Sequence, residues 1–161
     1  MRATWIPALI FVLSCGGSAP GSDPDSEPQV PPWMEVGAGS TSFTRLADGD
    51  TVELVMGPQG GWHLDVAARF GGMSPSGLTL AYHAADAGTG EDLGFPIKSA
   101  LNEDRVSYDG VGHVRTGDRI VFDIDGPADV VGRDIDILVE ARGPGIAHDA
   151  TVLVRILDEL P

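Results

Sequence analysis

The stretch DIDILVEA, residues 134–141, decides the fold class because its apolar and acidic residues alternate. Extended backbone places successive side chains on opposite faces, so a period of two is typical of a half-buried β-strand. One face of this segment carries Ile135, Ile137 and Val139, and the other carries Asp134, Asp136 and Glu140. The segment is therefore predicted to be a strand that buries its isoleucine and valine side chains.

Five more segments of the chain repeat this pattern. Their predicted buried faces are Val52, Leu54 and Met56 in TVELVM; Leu64, Val66, Ala68 and Phe70 in HLDVAARF; Leu78, Leu80 and Tyr82 in LTLAYHA; Ile120, Phe122 and Ile124 in RIVFDI; and Val152, Val154 and Ile156 in TVLVRIL. Clusters of Gly, Pro and Asp separate the segments at intervals that suit antiparallel strands and leave no room for crossover helices. PIKSALNED, residues 96–104, has a helical option, and we expect at most a turn or two there.

About seven to eight short strands in roughly 130 residues resemble an immunoglobulin-like β-sandwich. We therefore predict an all-β protein with a single antiparallel immunoglobulin-like β-sandwich over residues 33–161. The chain has one cysteine, so the cysteine pair of antibody domains is absent, as is their core tryptophan. The resemblance is architectural and assigns no functional residue.

Two segments share a Gly-Asp pair followed by apolar residues at the same offsets. RLADGDTVELVM contains Gly49 and Asp50, and HVRTGDRIVFDI contains Gly117 and Asp118. Glycine can supply a positive φ and aspartate can cap a turn, so both pairs are predicted to be turns that precede a strand.

The first fifteen residues resemble the leader of an exported protein. One positive charge at Arg2 precedes an apolar run of eleven residues, 3–13, which is shorter than a membrane-spanning helix requires. This pattern is typical of a secretory signal peptide, predicted here over residues 1–14. VLSC, residues 12–15, also resembles the lipobox of bacterial lipoproteins.

The lipobox resemblance implies lipid attachment at Cys15, with cleavage after Ser14 and a diacylglyceryl group on the thiol. Several acyl chains would anchor the protein stably, whereas one chain binds a membrane only marginally. Gly16 is not the aspartate that resembles an inner-membrane retention signal, which favours the outer membrane of the cell envelope. No cofactor other than this covalent lipid is predicted. The alternative is an incidental cysteine within an ordinary signal peptide.

Residues 15–32 are predicted to form a disordered tether. GGSAPGSDPDSEPQVPP, residues 16–32, contains five prolines, three glycines and three acids, without a basic or aromatic residue. Such a composition cannot bury enough apolar surface to offset the entropy of ordering the chain. A recognition tract for a proline-binding module is the alternative.

The net charge of −14 argues against nucleic acid as a partner, because binding to phosphates requires clustered Lys and Arg. The same charge disfavours electrostatic attraction to anionic lipids. We therefore expect the membrane to be a partner through the lipid anchor, with another envelope or extracellular protein as a further candidate.

The segment GPQGGWHLD, residues 57–65, has three interpretations: a phosphate-binding loop, a metal ligand presented on a strand, or a turn that leads into a strand. A phosphate loop usually precedes a helix and has a lysine nearby, and both are missing. The turn is favoured, with Trp62 covering the end of the core. The alternation of apolar and polar residues in the following strand then predicts that His63 and Asp65 face away from the core.

A metal site is the alternative function. His63 and His83 are predicted to face away from the core, and His113 and His148 to lie at strand edges or loops; imidazole suits copper and zinc. No pair has the spacing that places two ligands side by side, so scattered surface histidines are favoured. The acidic loops DAGTGED and DIDGPAD offer Asp86, Asp92, Asp123 and Asp125 to calcium, but Asp and Gly also form ordinary turns.

The sequence contains no catalytic signature, and GMSPSG, residues 72–77, lacks the spacing of a nucleophile elbow. With 24 acidic residues, paired carboxylates are expected without any catalytic role. We therefore predict a membrane-anchored lipoprotein that acts as a non-catalytic binding or structural module, and not an enzyme. The alternative is an exported metal-binding protein.

Overall fold

A computed structural model describes residues 30–158 of the chain. The predicted signal peptide, the lipid attachment at Cys15 and most of the predicted tether lie outside the described residues and remain predictions. Within residues 30–158, no helix has the length and apolar character that a membrane crossing requires.

The described residues form twelve strands and two single-turn 3-10 helices. The strands are β1 (Trp33–Ala38), β2 (Thr44–Arg45), β3 (Asp50–Glu53), β4 (Val55–Met56), β5 (Trp62–Gly71), β6 (Thr79–Asp86), β7 (Gly94–Phe95), β8 (Ile97–Ala100), β9 (Ser107–Tyr108), β10 (His113–Phe122), β11 (Asp134–Gly143) and β12 (Ile146–Leu157). The helical turns are Glu103–Arg105 and Pro127–Asp129. Four strands, β2, β4, β7 and β9, have two residues each, so eight longer strands remain and the predicted β-sandwich is confirmed.

The strands form two sheets. Sheet A has the order β2-β1-β5-β10-β7, with β4 also paired to β5 and β9 to β10. Sheet B has the order β3-β12-β11-β6-β8. Neighbouring strands are antiparallel, as predicted, except that β3 runs parallel to β12. The central strands of the sandwich are therefore long and paired on both sides, and the short strands lie at its edges.

One hydrophobic core fills the space between the sheets. The predicted inner faces of β5, β6, β11 and β12 are all buried, including Phe70, Tyr82, Ile137 and Ile156. The predicted burial of Met56 is wrong, because this residue is 64% exposed. The run TVELVM does not form one strand: β3 ends at Glu53 and joins sheet B, and β4 begins at Val55 and joins sheet A.

The helical option in PIKSALNED is replaced largely by strand. Ile97–Ala100 forms β8, which pairs with β6 so that Ser99 lies opposite Leu80. Helical structure is limited to the turn Glu103–Arg105. Pairing with the buried β6 strand therefore overrides the weak local preference for a helix.

Gly117 and Asp118 do not form the predicted turn before a strand. They lie within β10, where Arg115 pairs with Ala68 and Asp118 with Val66, so one extra residue is inserted opposite β5. This is a β-bulge, and Gly117 supplies the left-handed backbone it needs, with φ +77°. The Gly49 and Asp50 pair does form a turn, in which the Asp50 carboxylate accepts a hydrogen bond from the Ala47 N–H.

The bulge turns the Asp118 carboxylate into the core, where the residue is only 5% exposed. The guanidinium of Arg115 donates two hydrogen bonds to it, at 2.7 and 3.1 Å. The hydroxyl of Ser99, on β8 of sheet B, donates a third at 2.7 Å. Both oxygens of the buried carboxylate are thus satisfied, and the cluster joins the two sheets.

Tyr82 lies beside this cluster, and its hydroxyl is buried without a hydrogen-bond partner in residues 30–158. Burial is the main reason that the pKa of Tyr82 is raised well above its usual value, and the negative charge of Asp118 raises it further. The phenol is therefore held in its neutral form inside the sandwich.

Replacement of Asp118 by alanine should remove the carboxylate partner of Arg115 and the acceptor of the Ser99 hydroxyl, and should lower the free energy of unfolding by about 3 kcal/mol. Asp134→Ala is the matched control, because Asp134 also accepts two hydrogen bonds from one arginine, Arg155, but at an exposed position. An exposed ion pair contributes much less. Urea denaturation of both variants measures the difference, and equal losses would contradict a structural role for the buried cluster.

Candidate functional site

The strongest candidate site surrounds the glycine-rich turn between β4 and β5. Gly57 N–H donates to the Gly61 carbonyl at 2.9 Å, and Gly60 N–H donates to the Gly57 carbonyl at 3.0 Å. Gly60 and Gly61 have φ values of +81° and +88°, which side chains rarely allow. The segment is therefore a tight hairpin turn, and Trp62 packs against the core immediately after it, as predicted.

His63 follows Trp62 and points to the outer face of sheet A. The prediction of its face is correct, but the expectation that it is a surface histidine is wrong, because it is only 6% exposed. Its cross-strand neighbours are Val55 on β4 and Val121 on β10. His63, Val121 and the glycine turn line one depression on this face. Alternation in the sequence indicates the face of a residue but not that a turn shields it.

The imidazole of His63 lies near a carboxylate but forms no hydrogen bond with it. Its buried Nε2 atom makes no hydrogen bond within residues 30–158, although Asp65 Oδ1 lies 3.5 Å away. Arg119 donates from Nε to the same Asp65 oxygen at 3.2 Å. Burial lowers the pKa of His63 and the nearby Arg119 lowers it further, whereas Asp65 opposes the shift. The ring is therefore neutral at pH 7 and keeps one nitrogen as an acceptor.

Apolar side chains extend from this depression across sheet A. Directly paired residues of antiparallel strands share a face, and the pairing places Val55, His63, Val121 and Phe95 in one row. We call this row the His63 face. Phe95 is 58% exposed and Val121 is 37% exposed, so apolar surface remains in contact with solvent beside a buried polar ring.

His83 lies on the outer face of sheet B and does not join His63. Its Nε2 atom is 3.3 Å from Glu140 Oε2, and Glu140 Oε1 accepts a hydrogen bond from Arg142 at 2.6 Å. Arg142 also contacts the carboxylate of Asp149. His83 is thus one end of a chain of polar contacts that runs through Glu140 and Arg142 to Asp149 across three neighbouring strands.

His113 and His148 are also separate from His63. The His113 ring lies 5.6 Å from the Phe70 ring and 5.7 Å from the Tyr108 ring, measured between centroids. His148 lies opposite Ala141 in the β11–β12 hairpin, and its carbonyl accepts a hydrogen bond from Arg142. The four histidines therefore do not assemble into one site.

The two acidic loops do meet at one end of the sandwich, where Asp92, Asp123 and Asp125 line one open depression. Asp86 caps its own turn by accepting hydrogen bonds from the Gly88 and Thr89 N–H groups, both at 3.0 Å. The hydrogen bond from Thr89 N–H is the largest cause of the lowered pKa of Asp86. Across residues 30–158, no three His, Cys, Asp or Glu side chains are grouped so that they could hold a metal ion.

The chain matches no family model and no curated protein. Among solved structures it is similar to the CooA pilin subunit from enterotoxigenic Escherichia coli, with 12% identity and a TM-score of 0.32, covering 78% of this chain and 99% of that chain. This likeness is too low to bear on function.

Acidification should destabilise the protein through His63. Its folded-state pKa is lowered below the ordinary 6.5, so the unfolded chain binds more protons in the pH range just below 6.5. The free energy of unfolding must then fall as the pH falls through that range. His63→Gln should remove this component, which urea denaturation at several pH values between 7.5 and 5 measures. Identical pH slopes for both proteins would contradict the buried neutral imidazole.

Proposed function

We propose that the chain is a membrane-anchored lipoprotein of the bacterial envelope whose β-sandwich acts as a non-catalytic binding or structural module. The lipobox-like VLSC at residues 12–15 supports the lipid anchor on Cys15. The proline-rich segment that follows is suited to hold the sandwich away from the outer membrane. The partner on the far side of this tether is another envelope or extracellular protein.

The proposed binding role rests on the His63 face, where Phe95 and Val121 are exposed to solvent. An apolar row with Phe95 more than half exposed lies beside a buried imidazole whose Nε2 has no hydrogen-bond partner in residues 30–158. Exposed apolar surface that adjoins specific polar groups is typical of interaction sites. The polar groups elsewhere support the module itself: Asp118 joins the sheets, and Asp86 and Asp109 cap loops.

The anchor is tested by Cys15→Ala, with Ser18→Ala in the tether as the matched control. The original chain and Ser18→Ala should incorporate radiolabelled palmitate and remain in the membrane fraction, because several acyl chains bind a membrane stably. Cys15→Ala should lose the label and leave the membrane fraction. Label that persists in Cys15→Ala would overturn lipidation at this residue.

The binding surface is tested by a photo-crosslinking amino acid placed at Phe95 in cells of the native host. Thr151 is the control position, because it is exposed on sheet B. We expect a specific crosslinked protein from position 95, its loss when Val121→Glu is added, and no such product from position 151. Equal products from both positions, or none from position 95, would contradict a binding role for the His63 face.

A further inference from the structure

The first half of β12 has a free edge in sheet B. β12 contains 12 residues, but β3, its neighbour on that side, pairs only with Val154–Leu157. Leu153 N–H donates to Asp48 Oδ1, and its carbonyl accepts from Gly49 N–H, so the backbone groups of Leu153 point to this side. Every second residue of a strand faces the same edge. The exposed residues that share this direction are Ala147, Asp149 and Thr151. Their backbone groups have no hydrogen-bond partner within residues 30–158.

This free edge lacks the features that usually prevent a strand edge from pairing with another chain. Those features are lysine, proline, a bulge or very short length. The segment IAHDAT, residues 146–151, contains neither lysine nor proline, and β12 pairs with β11 without a register shift. The other edge strands are protected: β8 carries Lys98, β3 has four residues with an acid at each end, and β2 and β7 have two residues each. The first half of β12 is therefore a template for a further strand.

A second copy of this chain offers the same edge, and two identical edges can pair antiparallel about a two-fold axis. If Asp149 lies opposite Asp149 of the second copy, two carboxylates face each other and Gly145 comes opposite Leu153, whose backbone groups are already bonded. A register centred on His148 instead places Ala147 opposite Asp149 of the second copy. Leu153 then keeps its hydrogen bonds. This register pairs outward residues without displacing the segment before β3.

The register centred between the two copies in this way also matches their side chains. On the core side, Ile146 lies opposite Ala150 of the second copy, and both are half-buried residues that pack against the core. On the outer side, Asp149 lies opposite Ala147 of the second copy, which is the direct neighbour of Arg142 on β11. Each Asp149 is therefore in one row with Arg142 of the other copy, across a small alanine. Opposite charges in one row favour this orientation over others.

The chain that precedes the sandwich begins at the same end of β12. Val30, Pro31 and Pro32 line one depression with Gly145 and Ile146. The tethers of two paired copies therefore start near the two-fold axis. As a flexible coil, residues 15–30 would reach roughly 20 Å, so both lipid anchors could enter one membrane. Attachment to one membrane raises the effective concentration of the second copy, which favours it over a soluble partner.

We propose that two copies of this chain associate through the free edge of β12, residues 146–151, in the antiparallel register centred on His148. Ala147 N–H donates to the carbonyl of Asp149 of the second copy, and Asp149 N–H of that copy donates to the carbonyl of Ala147. The two-fold axis repeats both hydrogen bonds, and sheet B continues from one copy into the other. The pairing leaves the His63 face free, because that face belongs to the outer side of sheet A.

Single cysteines at the edge test this register in membranes of the native host. Cys15 is the one natural cysteine, so with its thiol lipidated an introduced cysteine is the only free thiol. On oxidation with copper phenanthroline, His148→Cys should form a disulfide between copies, because directly opposite Cα atoms lie within the range that a disulfide spans. Thr151→Cys is the matched control on the same edge. Its two copies would lie about 20 Å apart along the strands and should not link.

A proline at the edge tests whether backbone hydrogen bonds hold the pair together. Ala147→Pro, added to His148→Cys, should lower the initial rate of disulfide formation by a factor of about ten or more, because both symmetric N–H donors are lost. The sandwich should remain folded, because Ala147 N–H has no partner within residues 30–158. Ala147→Ser keeps the N–H and should retain the rate, and circular dichroism compares the folds of both variants.

Three results would overturn the proposed pair. They are the absence of a disulfide from His148→Cys, an equal rate from Thr151→Cys, and an unchanged rate in Ala147→Pro. A disulfide that forms faster from Asp149→Cys than from His148→Cys would overturn the register.

These outcomes are distinguishable from failure of the proposed function. A disulfide in the original chain would show a free thiol at Cys15 and contradict the lipid anchor, and the edge variants are then compared in a Cys15→Ala background. Loss of the pair would not affect the partner crosslinked from Phe95. A photo-crosslink from Thr151 to a second copy has twice the mass of the chain, so it differs from the partner product.

Discussion

The rest of the structure depends on the buried carboxylate of Asp118. The bulge at Gly117 shifts β10 by one residue against β5, and this shift turns Asp118 inward to meet Arg115 and Ser99. A buried carboxylate is costly unless it is paired and hydrogen-bonded, so the three donors constrain where β8 and β10 can lie. The polar cluster therefore constrains the register of β10 against β5 and the position of β10 relative to β8.

The same register creates the candidate site on the opposite face. Beyond the bulge, Arg119 lies across from Asp65 and Val121 across from His63. Ile120, which lies between Arg119 and Val121, and Phe122, which follows Val121, are both buried in the core. The Asp65–Arg119 pair and the apolar row beside His63 are thus consequences of one inserted residue in β10. The glycine turn, residues 57–61, completes the depression that His63 lines.

The period-two pattern was sufficient to predict the sandwich and the inner faces of its long strands, since Ile135, Ile137 and Val139 have no alternative place to bury. It was not sufficient for the bulge. Gly49-Asp50 and Gly117-Asp118 have the same local chemistry, and they differ because Asp118 finds a partner in Ser99, on the other sheet. The shielding of His63 and the meeting of the acidic loops also depend on contacts between segments distant in sequence. The faces of His63 and His83 could be predicted, but the neighbours of these histidines could not.

The protonation state of His63 is the property on which the candidate site depends most directly. Long-range proton–nitrogen NMR of the imidazole ring in the full chain at pH 7 reports which nitrogen carries the hydrogen. We expect a neutral ring with the hydrogen on Nε2, because this nitrogen lies 3.5 Å from Asp65 Oδ1 and a carboxylate favours the hydrogen on the nitrogen nearest to it. A doubly protonated ring at pH 7 would contradict the buried neutral imidazole that the candidate site contains.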